Sequence, residues 1–110
     1  MTNERFNEIV NEQLEATKIL LTSKGEEYSL TDDRLAAFKR AASLQDETMK
    51  QALCGMLAKH IVSVYDMCMS DRDFSMARWD EKITDSINYL LLLKAAVEED
   101  NAGRCTVWHG

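Results

Sequence analysis

The sequence predicts an all-α fold, a helical bundle of about four helices completed by oligomerisation, and three observations carry that reading. The chain has no proline and only 4 glycines in 110 residues, which removes collagen-like, low-complexity and turn-rich all-β architectures. Its apolar residues recur at steps of three and four rather than alternating. No linker rich in Pro, Gly or Ser and no internal repeat divides the chain, so residues 1–100 read as one domain followed by a tail from Asn101 to Gly110. A chain of this length can bury a real core without disulfide staples.

The first helix is expected from about Asn3 to Ser23, because Phe6, Ile9, Val10, Leu14, Ile19, Leu20 and Leu21 follow helical spacing, with Gly25 as its stop. Thr31, Asp32 and Asp33 offer N-cap oxygens for a second helix reaching about Leu44, with Leu35, Phe38, Ala41 and Ala42 on its inner side. A third begins near Asp46 to Thr48 and carries the stripe Met49, Leu53, Met56, Leu57, His60, Ile61, Val64 and Met67. Gly55 lies inside it at a cost of about 1 kcal/mol relative to Ala, and a close helix crossing is the expected reason. After a polar break at residues 70–75, Ser75 caps a fourth helix to about Glu99, marked by Trp79, Ile83, Ile87, Leu90 and Leu91. Leu90 to Leu93 is apolar in every direction of one turn, and with Trp79 this predicts a homo-oligomer.

Composition narrows the function classes. Thirteen Lys and Arg against 19 Asp and Glu give a net charge of -6, which argues against an extended nucleic-acid surface. The longest apolar run, Tyr89 to Leu93, is far short of the roughly 20 residues of a membrane span, so no membrane segment is expected. Met1 to Glu8 carries acids and no apolar signal core, which points to a cytoplasmic protein. Three cysteines without a CxxC spacing read as reduced thiols, with Cys54 and Cys68 expected to be buried. Cys105 and His109 have a metal-like spacing, but a zinc site needs about four ligands and no partner pair is evident.

The fourth helix holds the most informative polar pattern. At about 100° per residue, Glu81, Asp85 and Asn88 share one face while Trp79, Ile83, Ile87 and Leu90 lie on another. Carboxylates one turn apart suit Mg²⁺, which takes a few carboxylates, several waters and a substrate phosphate; a solvated face is the alternative reading of the same spacing. On the third helix Lys59, Ser63 and Asp66 form a polar line with His60 beside it. If the bundle turns that line toward the fourth helix, Asp66 joins Glu81 and Asp85 as a third metal ligand and Lys59 or His60 meets phosphate oxygens. For His60 a satisfied core histidine is the other reading. Lys24, Arg34, Lys39 and Arg40 cluster in an otherwise acidic chain, with Tyr28 and Phe38 as aromatic faces for a base. Helix-end cations and an inward Phe are the structural alternatives. The acidic line Glu4, Glu8, Glu12 reads as a solvated face.

The segments Lys24-Gly25-Glu26-Glu27-Tyr28, Asp33-Arg34-Leu35 with Phe38-Lys39-Arg40, Lys59-His60 with Ser63 and Asp66, and Glu81 through Leu90 together resemble small phage-type helical proteins. These are similar to the all-α nucleoside triphosphate pyrophosphatase superfamily, the MazG and dimeric dUTPase group, over about residues 5 to 98. The resemblance implies that acids on two antiparallel helices bind Mg²⁺ and that water attacks a nucleoside triphosphate, releasing pyrophosphate. Glu81 and Asp85 match the position of the family's E-x-x-D motif with one extra residue between them. The family's E-E-x-x-E motif has no counterpart, and Asp66 is the acid that stands nearest to its place.

The resulting expectation is a phage-encoded protein of the host cytoplasm that binds a nucleoside phosphate, either as a minimal Mg²⁺-dependent enzyme that releases monophosphate and pyrophosphate or as a nucleotide pocket that has lost hydrolysis. Glu81 and Asp85 are the catalytic candidates; Asp66, Glu81 and Asp85 are the metal ligands; Lys24, Tyr28, Arg34, Phe38, Lys59, His60 and Asn88 bind substrate. The alternative is a non-catalytic protein that sequesters a nucleotide signal or inhibits a host defence protein by direct binding.

Overall fold

The structure, a computed structural model, describes the backbone of residues 1–28 and 32–104 and the side chains of residues 1–23 and 32–102. It is all-α. Four helices follow in order, α1 (Asn3–Tyr28), α2 (Ala36–Leu44), α3 (Met49–Met69) and α4 (Met76–Arg104), and no strand occurs among the described residues. The chain divides into two compact units, Met1–Arg34 and Leu35–Gly110.

In the first unit α1 starts where the Thr2 hydroxyl accepts the Arg5 amide at 3.0 Å. Arg5 then bridges Glu8 at 2.9 Å and Glu12 at 3.2 Å, hydrogen bonds that hold its guanidinium above its ordinary pKa. Thr17 is buried and its hydroxyl accepts from Gln13 at 3.0 Å. The expected stop at Gly25 is corrected, because the helix runs through it to Tyr28. One glycine weakens a helix without ending it unless the chain turns left-handed there, and no described glycine has a positive φ.

The second unit holds α2, α3 and α4. The helix α2 begins at Ala36 behind Leu35, whose side chain makes no cap hydrogen bond, three residues beyond Asp33, the last of the expected capping residues. Thr31 itself lies outside the described residues. Its end is a left-handed one: Asp46 has φ 54°, and the amides of Asp46 and Glu47 reach back to the carbonyls of Ser43 at 3.2 Å and Ala42 at 2.9 Å. Aspartate tolerates that conformation better than most residues. Thr48 then caps α3 with a reciprocal box, its hydroxyl accepting from the Gln51 amide at 3.2 Å while the Gln51 side chain accepts from the Thr48 amide at 2.9 Å. Ser75 caps α4 through the Arg78 amide at 3.2 Å. Residues 101–104, expected in the tail, continue α4.

The helices α3 and α4 are joined by residues 70–75 and run antiparallel, so Leu53 near the start of α3 meets Ala96 near the end of α4. Leu53 and Ala96 are 0% exposed and, with Leu35 and Met49, form the core, onto which Phe38, Tyr89, Leu92 and Leu93 pack. The apolar turn on α4 is thereby split: Leu92 and Leu93 serve this core while Leu90 and Leu91 stay exposed. One further expectation is corrected. Cys54 and Cys68 are exposed rather than buried, on a flank of α3 beside the stripe that Leu53 buries. By length and composition alone, α3 is apolar enough to cross a membrane; its polar residues interrupt the apolar ones, which is why no long unbroken run announces it.

Candidate functional site

The seam between α3 and α4 brings two of the expected site residues together. His60 Nδ1 lies 3.9 Å from Asp85 Oδ2, and both side chains are half-buried. The imidazole stacks on Tyr89 with centroids 4.8 Å apart and planes 25° apart. Asp85 and Tyr89 are four residues apart on α4, so consecutive turns of one helix present a carboxylate and a ring to the same histidine.

Asn88 occupies the turn between them and is buried, 7% exposed. Its Oδ1 is enclosed and accepts no hydrogen bond from the described residues. Such an oxygen costs about 1–3 kcal/mol of unrecovered desolvation. Ser86, also buried, satisfies itself by donating to the Lys82 carbonyl at 3.0 Å.

The expected metal cluster does not form within the chain. No group of three or more His, Cys, Asp or Glu side chains able to hold a metal ion occurs among the described residues. Asp66 and Glu81 are exposed, and Asp85 has His60 as its neighbour. Asp66, Glu81 and Asp85, the expected Mg²⁺ ligands, do not form such a group among the described residues of the single chain.

The remaining substrate candidates separate. Lys59 is exposed beside His60 on α3. Phe38 packs against the core cluster, so it acts in the fold rather than as an open stacking face. Arg34 belongs to the first unit, where its guanidinium donates to the Leu21 carbonyl at 3.5 Å. The side chains of Lys24 and Tyr28, and the tail residues Cys105 and His109, lie outside the described residues. Lys39 pairs with Glu99 at 2.7 Å, tying α2 to the last turns of α4. Tyr89 is the participant that sequence reasoning missed; its signal was an aromatic one turn after Asp85, which the apolar run that follows disguised.

No protein-family model, no curated protein and no solved structure matches the chain.

Proposed function

We propose that the protein binds a nucleoside phosphate on the α3–α4 seam. The observation that carries this reading is the buried Asn88, whose Oδ1 has no donor among the described residues and would meet a base amine or ring N–H once the side chains enclosing it move aside. His60 and Tyr89 supply an aromatic wall beside it, and the exposed Lys59 supplies a cation for phosphate. Asp85 orients His60 from 3.9 Å. Because the acids do not gather within one chain, binding is the activity proposed, and hydrolysis with Mg²⁺ is left as an outcome of the test.

Calorimetric titration with a panel of nucleoside mono- and triphosphates, with and without Mg²⁺, tests the reading, alongside a pyrophosphate-release assay. Binding that weakens by about two- to tenfold in Asn88→Leu while the helical spectrum is kept supports it. No binding to any nucleotide overturns it, and pyrophosphate release would restore the hydrolase.

The second reading, direct binding of a host protein, is favoured by α1, where Phe6, Leu14 and Ile19 are exposed beside Glu4, Glu8, Glu12 and Glu15. Capture of a partner by the wild-type chain that is lost in Phe6→Glu would support it.

A further inference from the structure

The side of α3 that faces away from Leu53 carries Gln51, Gly55, Ala58, Val62, Tyr65 and Met69, at steps of 4, 3, 4, 3 and 4 residues. None is charged and all are exposed, Val62, Tyr65 and Met69 by 57%, 62% and 68%. That spacing is the heptad seam of paired helices. Its residues are graded in size, with Gly55 and Ala58 in the first half and Val62, Tyr65 and Met69 in the second.

From this grading we infer that two copies of the chain pair through α3, antiparallel about a two-fold axis, with the partner's Tyr65 seated on Gly55. Reversing one helix sets large against small in the inner layers, Gly55 against the partner's Tyr65 and Ala58 against the partner's Val62, and brings Gln51 to the partner's Met69 at the ends. A parallel pair stacks Tyr65 on its own copy and leaves the glycines facing a gap. A two-fold contact must be self-complementary, and only the antiparallel register makes this stripe so.

Gly55 is the independent observation. A glycine inside a helix is less favourable than alanine, and the described residues of its own unit give no reason for one: a Cβ built at Gly55 meets no atom within 4 Å, and its φ is not positive. The proposed pairing supplies a reason for the missing side chain. Area points the same way. Tyr65 at 62% exposure has on the order of 100 Å² to bury, and with Ile61, Val62 and Met69 the face reaches the several hundred Å² that monomers rarely leave uncovered.

Cys54 and Cys68, both exposed, flank the seam on one side. Antiparallel pairing puts Cys54 beside the partner's Cys68, whereas within one chain the two lie about 21 Å apart along the helix. In a Cys105→Ser background, a bismaleimide much shorter than that distance should yield a Cys54–Cys68 cross-linked peptide containing one light and one heavy chain when isotopically mixed protein is used. Sedimentation velocity should show a dimer. Gly55→Leu, which has open space within its own chain, should keep the helical spectrum and weaken the dimer by about tenfold or more. Cross-links joining like cysteines, a Gly55→Leu dimer as tight as wild type, or a monomer that is free or bound to lipid vesicles would overturn the pairing.

Discussion

His60 and Tyr89 stack across the α3–α4 seam with ring centroids 4.8 Å apart, and the same imidazole faces Asp85 Oδ2 at 3.9 Å. The stack comes one turn before α4 commits its side chains to the core, since Leu92 and Leu93 pack on the Leu53 cluster. The seam therefore changes from polar to apolar along its length, and Tyr89 is the residue that belongs to both parts.

Tyr89→Leu keeps most of the apolar contact and removes the ring pair. We expect it to cost about 0.5–1.5 kcal/mol beyond lost area, the range of aromatic pairs, and to weaken nucleotide binding. Tyr89→Phe should retain the stack and stay within about 0.5 kcal/mol of wild type. Urea unfolding of the two variants checks this; equal losses would show that the hydroxyl, not the ring, matters.

Asp85→Asn distinguishes the acid pair read from the sequence from the pair found in the structure. If Asp66, Glu81 and Asp85 converged, neutralising one would relieve like-charge repulsion and raise the melting temperature. With Asp85 beside His60 and Glu81 exposed, no such gain is expected, and the change should fall between zero and about 1 kcal/mol of destabilisation. Millimolar Mg²⁺ without nucleotide should leave the wild-type melt unmoved, whereas a clear upward shift would mean that acids from separate chains meet.

The helices were legible because their signals are local. Three- and four-residue apolar steps announced α3 and α4, and Thr48 and Ser75 announced where they begin. What the sequence concealed depends on which side of a helix its neighbours cover. Cys54 and Cys68 belong to a residue type usually buried, yet they lie on the uncovered side of α3. Glu81 and Asp85 share a face of α4, but which residue of α3 meets that face is decided by the register of the hairpin, and the register delivers His60 rather than Asp66. Phe38 looked equally fit for a base or for the core, and the packing of α2 against Leu53 and Ala96 chose the core. The left-handed Asp46 was hidden for a similar reason: aspartate permits that turn without requiring it.

Thr48→Ala removes the hydroxyl that accepts the Gln51 amide and dismantles the capping box. The expected cost is about 0.5–2 kcal/mol, with Thr48→Ser recovering most of it. Chemical denaturation of the three proteins measures the difference, and a cost near zero would mean that the start of α3 is held by packing at Met49 alone.

The exposed pair Lys39–Glu99 is short, at 2.7 Å, but each side chain is more than two-fifths exposed. Removing either partner should cost no more than about 1 kcal/mol. A double-mutant cycle in low and high salt should give a coupling that shrinks as the salt rises. A salt-independent coupling of several kcal/mol would show the pair to be shielded by something beyond the chain.

Asn88→Leu sets stability against function. A buried oxygen with no donor is a liability to the fold, so replacing the amide with an apolar side chain of similar size should leave stability unchanged or raise it by as much as about 1–3 kcal/mol. If Asn88 serves only packing, nucleotide affinity should be untouched. If its oxygen receives a base N–H, affinity should fall by the worth of one buried hydrogen bond to a neutral donor, about 0.5–1.5 kcal/mol, or somewhat more where the ligand's donor is then left unsatisfied. Asn88→Asp is the companion: it keeps an acceptor but buries a charge, so it should destabilise the protein where Asn88→Leu does not. Thermal melts and nucleotide titrations on the same two variants separate these outcomes, and a loss of stability in Asn88→Leu would mean that the amide already has the partner it needs.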